Sequence, residues 1–287
     1  MLKNNFDRIN VLKDLLPMIK KSSGLRIVIK YGGAAMQDLS VVSLVLEDIL
    51  TLYYLGIQPI IVHGGGPSIN FWLNKLNIEP KFHNGLRVTD YRTMEIVEMV
   101  LSGKVNNQLV ALLNKSSSLA VGLSGKDSNL IRCSALYPFS DSDNFVGKVV
   151  DVNTGLLEIL LSNNYIPVIA SVACDQSGET YNINADSFAG SVASALKADK
   201  LFLLTDAPGI MADINDTSSV IKDLDLQTII ALQDSNIITG GMIPKIDACI
   251  SSLKNGVKAT HIIDGRFKHS LLYEIFTDTR IGSMITL

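Results

Sequence analysis

Cysteine is scarce: the 287 residues hold three, Cys133, Cys174 and Cys249, without the paired spacing of a zinc site or a disulfide framework. That scarcity excludes a disulfide-stapled mini-domain and fits a reducing compartment. Charge is low too, at 18% of residues, with Lys+Arg 25 against Asp+Glu 28 and a net charge of −3. No positive excess exists to hold a polyphosphate backbone, so nucleic acid is not expected as a partner. The stretch from 49 to 74 lacks Asp, Glu, Lys and Arg and is long enough to span a bilayer. Pro59, His63, Gly64, Gly65, Gly66, Pro67 and Asn70 break it, so no membrane span is expected. Near the N-terminus Lys3, Arg8, Lys13 and Lys20 are interrupted by Asp7 and Asp14 and no apolar run follows, which predicts neither signal nor transit peptide.

What remains is a globular chain. Apolar residues reach 47%, with 21 Gly and 8 Pro, which excludes a disordered, collagen-like or charged coiled-coil chain. At roughly 150 residues per domain the length suggests two domains. Phe6, Ile9, Leu12, Leu16 and Ile19 recur at three-to-four spacing and predict an amphipathic helix over 6–20, bent at Pro17. From 25 onward short apolar runs at 25–30, 57–62, 119–123, 129–133, 165–170, 200–205 and 259–263 alternate with helical stretches at 40–55, 93–113, 156–162, 187–196 and 246–253. That rhythm predicts an α/β fold, a three-layer sandwich with a mainly parallel central sheet. Residues 139–150 read as a loop and hairpin, and a second βα-rich half begins between Tyr181 and Leu196. The expected division is a helix over 1–24, one domain over 25–190 and a second over 191–287.

Five glycine-bearing loops follow apolar strands, the place where α/β folds hold ligands. They are Lys30-Tyr31-Gly32-Gly33, His63-Gly64-Gly65-Gly66-Pro67, Ser124-Gly125-Lys126-Asp127, Thr205-Asp206-Ala207-Pro208-Gly209 and Thr239-Gly240-Gly241. Glycine lets backbone N–H groups approach an anion, and a following helix N-terminus adds its positive dipole end. Each could equally be a tight βα turn. Two nucleotide signatures are missing. Ile69 stands where G-x-G-x-x-G needs its third glycine, and around Gly125-Lys126 a P-loop would need a glycine at Ala120 and Ser or Thr at Asp127.

An ordered set of segments resembles the amino-acid kinase family from Leu25 to the C-terminus: Lys30 to Met36, Val62 to Pro67, Gly85 to Thr89, Asn182 to Asp186 and Gly240 to Lys245. Within the family the resemblance is to the arginine-sensitive branch with an N-terminal helix. It implies ATP-dependent phosphorylation of the side-chain carboxylate of N-acetyl-L-glutamate, an early step of arginine synthesis. Lys30 and Lys245 would flank the transferred phosphoryl group, where fixed cations stabilise spreading negative charge, and Asp186 would hold both lysines. Gly65, Gly66, Arg87 and Asn182 would contact the acyl amino acid, and Gly32, Gly33, Thr205, Asp206, Gly209, Ile210, Gly240 and Gly241 would contact ATP. Taken singly, Lys30 could be a surface lysine, Lys245 a first-turn helix residue, Asp186 a helix cap, Arg87 half of a surface salt bridge and Asn182 a turn residue. His63 reads as structural, steadying the glycine turn through a ring N–H. Magnesium would ride on ATP oxygens, with no protein ligand.

The same resemblance implies a homo-oligomer, in which 25–190 forms a dimer contact and the helix over 1–24 joins dimers into a hexamer, and a PII signalling protein as partner. It implies arginine feedback at His269, Glu274 and Gly282, with Arg280 as the departure, since a cation there could repel a cationic effector. Location would be the plastid stroma for an organelle-encoded chain, otherwise a bacterial cytoplasm. Two alternatives stay open: a family kinase acting on carbamate, aspartate, free glutamate or a nucleoside monophosphate, or a catalytically silent sensor of arginine or a partner protein.

Overall fold

Arg26–Tyr31 offers no polar face in its middle, and such a run is stable only with protein on both sides. The computed structural model describes residues 5–83, 85–137, 144–235 and 237–287 and supplies both layers. Ile27, Ile29 and Tyr31 point into one core, while Val28 points into the other with Ile60, Val62 and Phe188. This period-two alternation makes a three-layer α/β sandwich.

In chain order the helix α1 (Asn5–Ser22) leads into β1 (Arg26–Tyr31), α2 (Leu39–Tyr54), β2 (Gln58–His63), α3 (Gly66–Lys75), the short β3 (Phe82–His83) and β4 (Leu86–Arg87), then α4 (Tyr91–Glu98). A π-helical stretch, Met99–Val105, runs on into α5 (Asn106–Asn114), followed by β5 (Ala120–Ser124), β6 (Ile131–Ala135), β7 (Val146–Val152), α6 (Gly155–Ser162), β8 (Ile166–Ala170), β9 (Val172–Cys174) and β10 (Thr180–Ile183). The remainder is α7 (Ala185–Ala195), β11 (Lys200–Thr205), β12 (Asp223–Leu224), α8 (Leu226–Asp234), α9 (Met242–Lys254), β13 (Ala259–Asp264), α10 (Ser270–Phe276) and β14 (Ser283–Ile285).

Among the described residues eight strands form the central sheet in the order β12-β14-β13-β11-β1-β2-β8-β5, and only the β13–β14 pairing is antiparallel. The expected mainly parallel sheet is therefore present. The helical stretch expected over 93–113 is found as α4, the π-helical turn and α5 in succession. Of the loop and hairpin expected over 139–150, 139–143 lie outside the described residues and 146–150 belong to β7, whose antiparallel partner β6 lies before that span. The sequence reading did not foresee that β10, β7, β6 and β9 close into a small barrel beside the carboxyl edge of the sheet. No described helix is long and apolar enough to cross a membrane.

Candidate active site

Lys30 follows Val28 by two positions, so β-alternation sends it toward the α7 and α9 side at the carboxyl end of β1. There its Nζ lies 2.9 Å from Asp186 Oδ1, and Lys245 Nζ lies 2.8 Å from Asp186 Oδ2. One carboxylate is thus shared by two ammonium groups, all three at most slightly exposed. The helix-cap alternative for Asp186 fails, because Asn184 does that work: its Oδ1 accepts from the N–H groups of Asp186 and Ser187. Burial pushes the Asp186 carboxyl up, but Lys30 and Lys245 outweigh it and hold it at about 2. Burial pulls the Lys30 ammonium below its ordinary value, against the raising effect of Asp186.

Beside this trio lies a cavity of about 230 Å³, lined by Lys30, Gly32, Gly33, Gly64–Gly66, Arg87, Asn182 and Asp186 among others. It is smaller than the roughly 300 Å³ at which sites for drug-sized ligands begin, so it suits a small metabolite. Gly66 opens α3, and the first N–H groups of that ten-residue helix have no partner within it. Arg87 is buried; its Nη2 donates to Asn70 Oδ1 at 2.7 Å, its guanidinium lies 4.8 Å from the Phe82 ring centre, and its buried Nη1 has no partner among the described residues. A buried guanidinium N–H left bare is costly and waits for an acceptor. Asn182 donates from Nδ2 to Thr89 Oγ1 at 3.2 Å, and Thr89 in turn donates to the Arg87 carbonyl at 2.8 Å. Lys30 and Arg87 against Asp186 in the lining, with Lys245 behind that carboxylate, give the pocket a positive balance that suits an anionic substrate.

A larger cavity of about 750 Å³ adjoins it and shares Gly85, Leu86, Val146, Ile183 and Asn184 with it. Gly240, Gly241 and Pro244, at the start of α9, line this second space. Thr205 is buried at the end of β11 and Asp206 is exposed just after it. Gly209 has φ +152° and packs against Ser283, whose Oγ accepts from the buried Ile210 N–H. These four residues lie apart from the lining of both cavities, at the β11 end of the same sheet edge. His63 behaves as read: fully buried, with Nδ1 3.0 Å from the Gly64 carbonyl, and burial pulls its pKa to about 4.

The remaining sequence-derived residues gather around α10. His269 Nδ1 lies 2.7 Å from the buried Asp48 carboxylate on α2. Glu274 is buried and fully engaged: Oε1 faces His261 Nδ1 at 3.0 Å and Arg280 Nη1 at 3.6 Å, and Oε2 accepts from Ile281 N–H at 3.0 Å and Gly282 N–H at 3.4 Å. Sequence reasoning missed Asn70, Phe82 and Thr89, whose contacts cross between elements, and Asn184, whose local N-cap pattern could have been read.

A parallel sheet with glycine loops at its carboxyl edge, and a carboxylate shared by two lysines there, defines an α/β site with the charge to hold an anionic group. The model of the amino acid kinase family matches residues 25–264, and the chain belongs to that family. It is 56% identical over 284 residues to the acetylglutamate kinase of Gracilaria tenuistipitata var. liui, covering 99% of both chains. It is 53% identical to the acetylglutamate kinase of Nostoc punctiforme, covering 97% of this chain and 93% of that one. The structure of N-acetylglutamate synthase from Neisseria gonorrhoeae, in complex with coenzyme A and N-acetyl-glutamate, matches with a TM-score of 0.85 at 24% identity. That match covers 97% of this chain and 63% of the synthase chain, and it speaks to the fold alone.

Proposed function

We propose that the chain transfers the γ-phosphoryl group of ATP to the side-chain carboxylate of N-acetyl-L-glutamate, giving ADP and N-acetyl-L-glutamyl 5-phosphate for arginine biosynthesis. The observation that carries this reading is the Lys30–Asp186–Lys245 trio beside a small pocket in which Arg87 Nη1 has no partner among the described residues. The near-full-length likeness to acetylglutamate kinases supports the same acceptor.

The acceptor carboxylate needs no general base, since a glutamate side chain with a pKa near 4.3 is already ionised at neutral pH. Its oxygen attacks the γ-phosphorus, the bond to the β,γ-bridging oxygen breaks, and ADP leaves with that electron pair. Lys30 and Lys245 stabilise the charge spread over attacking, transferring and leaving oxygens, and Asp186 keeps both ammonium groups oriented. Arg87 receives the α-carboxylate, with Asn182 and the amides of Gly65 and Gly66 around the same molecule. Gly32 and Gly33 face the phosphates, while Thr205, Asp206, Gly209, Ile210, Gly240 and Gly241 form the nucleotide side. Magnesium travels on phosphate oxygens and water, as it usually does with nucleotides.

Residues 25–190 form the acyl-amino-acid half and 191–287 the nucleotide half, meeting within α7 and without a linker. Self-assembly through residues 1–24 fits the exposed stripe of Phe6, Ile9, Leu12 and Leu16 on α1. Arginine acts as an effector near His269, Glu274 and Gly282, and a PII protein is the partner that relieves it. Relatives in Gracilaria and Nostoc fit a plastid stroma or a bacterial cytoplasm, and the plastid is our reading. The test is ADP release with N-acetyl-L-glutamate, glutamate, aspartate and carbamate, each with and without arginine. Release that depends on N-acetyl-L-glutamate supports the assignment; release with carbamate or aspartate in its place overturns it.

A further inference from the structure

Buried residues recur every fourth position from Thr93 through Val97, Leu101, Val105 and Leu109 to Leu113. At 3.6 residues per turn an α-helix drifts by roughly 200° over that span, so it could not keep them on one face. The chain meets this by running Met99–Val105 as a π-helix, whose wider turn absorbs much of the drift. Asn106, the next residue, is thereby turned inward and is 3% exposed.

The Asn106 Nδ2 lies 2.8 Å from the Val168 carbonyl, 3.2 Å from the Leu123 carbonyl and 3.0 Å from Nε2 of His63. Carbonyls only accept, so the amide nitrogen and not its oxygen faces them. That nitrogen can only donate, so Nε2 of His63 is the bare nitrogen and the ring proton sits on Nδ1, directed at the Gly64 carbonyl. The Gly64 carbonyl and the Gly65 N–H belong to one planar trans peptide unit and point opposite ways. Holding the carbonyl on His63 therefore fixes the direction of the Gly65 N–H, and Gly65 lines the small pocket. The π-helical turn also supports this loop: a Cβ on Gly65 would lie 2.6 Å from Leu101 Cδ2 and 3.2 Å from Val105 Cγ2.

We propose that Asn106, which lies behind the pocket lining and not in it, is a positioning residue for acyl-amino-acid binding: its amide selects the Nδ1–H tautomer of His63, which sets the Gly64–Gly65 peptide plane. The choice of acyl substrate rests on the function proposed above; the tautomer does not. The experiment begins with the full-length wild-type chain labelled with 15N-histidine, without substrate, at pH 7.5, the His63 signals being assigned with a His63→Gln variant. Two-bond 15N–1H spectra should show a protonated Nδ1 and a bare Nε2; the opposite tautomer, or an even mixture, overturns the proposal. In Asn106→Leu the Nδ1–H preference should be lost. Its KM for N-acetyl-L-glutamate should rise about tenfold or more while KM for ATP stays within about twofold and kcat within about threefold. Asn106→Ser, too short to reach Nε2, should do the same and serves if the leucine variant is insoluble. An unchanged KM for N-acetyl-L-glutamate, or equal rises for both substrates, overturns the positioning role. Should the wild type release no ADP with N-acetyl-L-glutamate, the acceptor assignment fails and the wild-type spectrum still decides the tautomer.

Discussion

Two lysine side chains share the single carboxylate of Asp186, so cationic groups outnumber anionic ones at the proposed phosphoryl-transfer site. Lys30→Ala should lower kcat by about 10²- to 10³-fold, the usual loss of one preorganised charge-stabilising donor, with a smaller change in KM. A folded variant that loses less than about threefold in steady-state turnover would place Lys30 away from the reacting atoms. Arg87→Lys keeps the charge but loses the fork, and its shorter reach forfeits the unpaired Nη1. Apparent affinity for N-acetyl-L-glutamate should fall by about 1.5 to 3 kcal/mol while KM for ATP holds steady, as initial-rate kinetics would show. At this scale the sequence was legible where a residue stands in a local motif, as Lys30 does before its glycine pair. It was not legible for Thr89, whose tie to Asn182 spans 93 positions, nor for Asn106, whose tie to His63 spans 43.

Helices α7 and α9 carry Asp186 and Lys245, so the distance between those side chains is set by how closely the two helices pack. Gly190 permits the approach: a Cβ there would lie 2.8 Å from Ser252 Oγ and 3.2 Å from the Ala248 carbonyl. Gly190→Val should destabilise the fold by about 1 to 3 kcal/mol in urea melts, an overpacking cost. It should also lower kcat, because the helices must part where the lysine meets the aspartate. Around α10 the Arg280 guanidinium stands 3.6 Å from Glu274 and 2.7 Å from Asp223. Arg280→Gly should therefore lower the arginine concentration giving half-inhibition, measured by ADP release; an unchanged or higher value counts against Arg280 as a competing cation. Deleting residues 1–24 should reduce assembly size in light scattering and weaken the arginine response. Helix and strand positions were readable from periodicity, whereas the π-helical turn was not, because its signal is a spacing of four that short windows read as α-helix.

Across the whole molecule, acid should act first through histidine. Burial pulls both His63 and His261 to about 4, from an ordinary value near 6.5. The unfolded chain then binds more protons than the folded one between those values. The contribution of the two neutral rings is full above about 6.5 and is lost as pH falls from there to about 4, on the order of 3 kcal/mol for each ring. Below that, Asp186 adds a second loss between its ordinary 3.8 and about 2. Urea midpoints from pH 8 to 4 should trace the first loss, and a flat profile would mean the two rings are not held neutral. The eight-stranded sheet was legible because each βα unit announces itself locally, while the barrel of β6, β7, β9 and β10 was hidden because those strands alternate weakly and close through long-range pairing. One strand has a temporal meaning. β14 comes after β12 and β13 in the chain but lies between them, and among the described residues β12 is bonded to the sheet through β14 alone. During synthesis β12 must wait, unpaired, for some 60 further residues to leave the ribosome. A ribosome paused after β13 thus holds a nascent chain with an open β13 edge and a stranded β12, the form that a chaperone would meet.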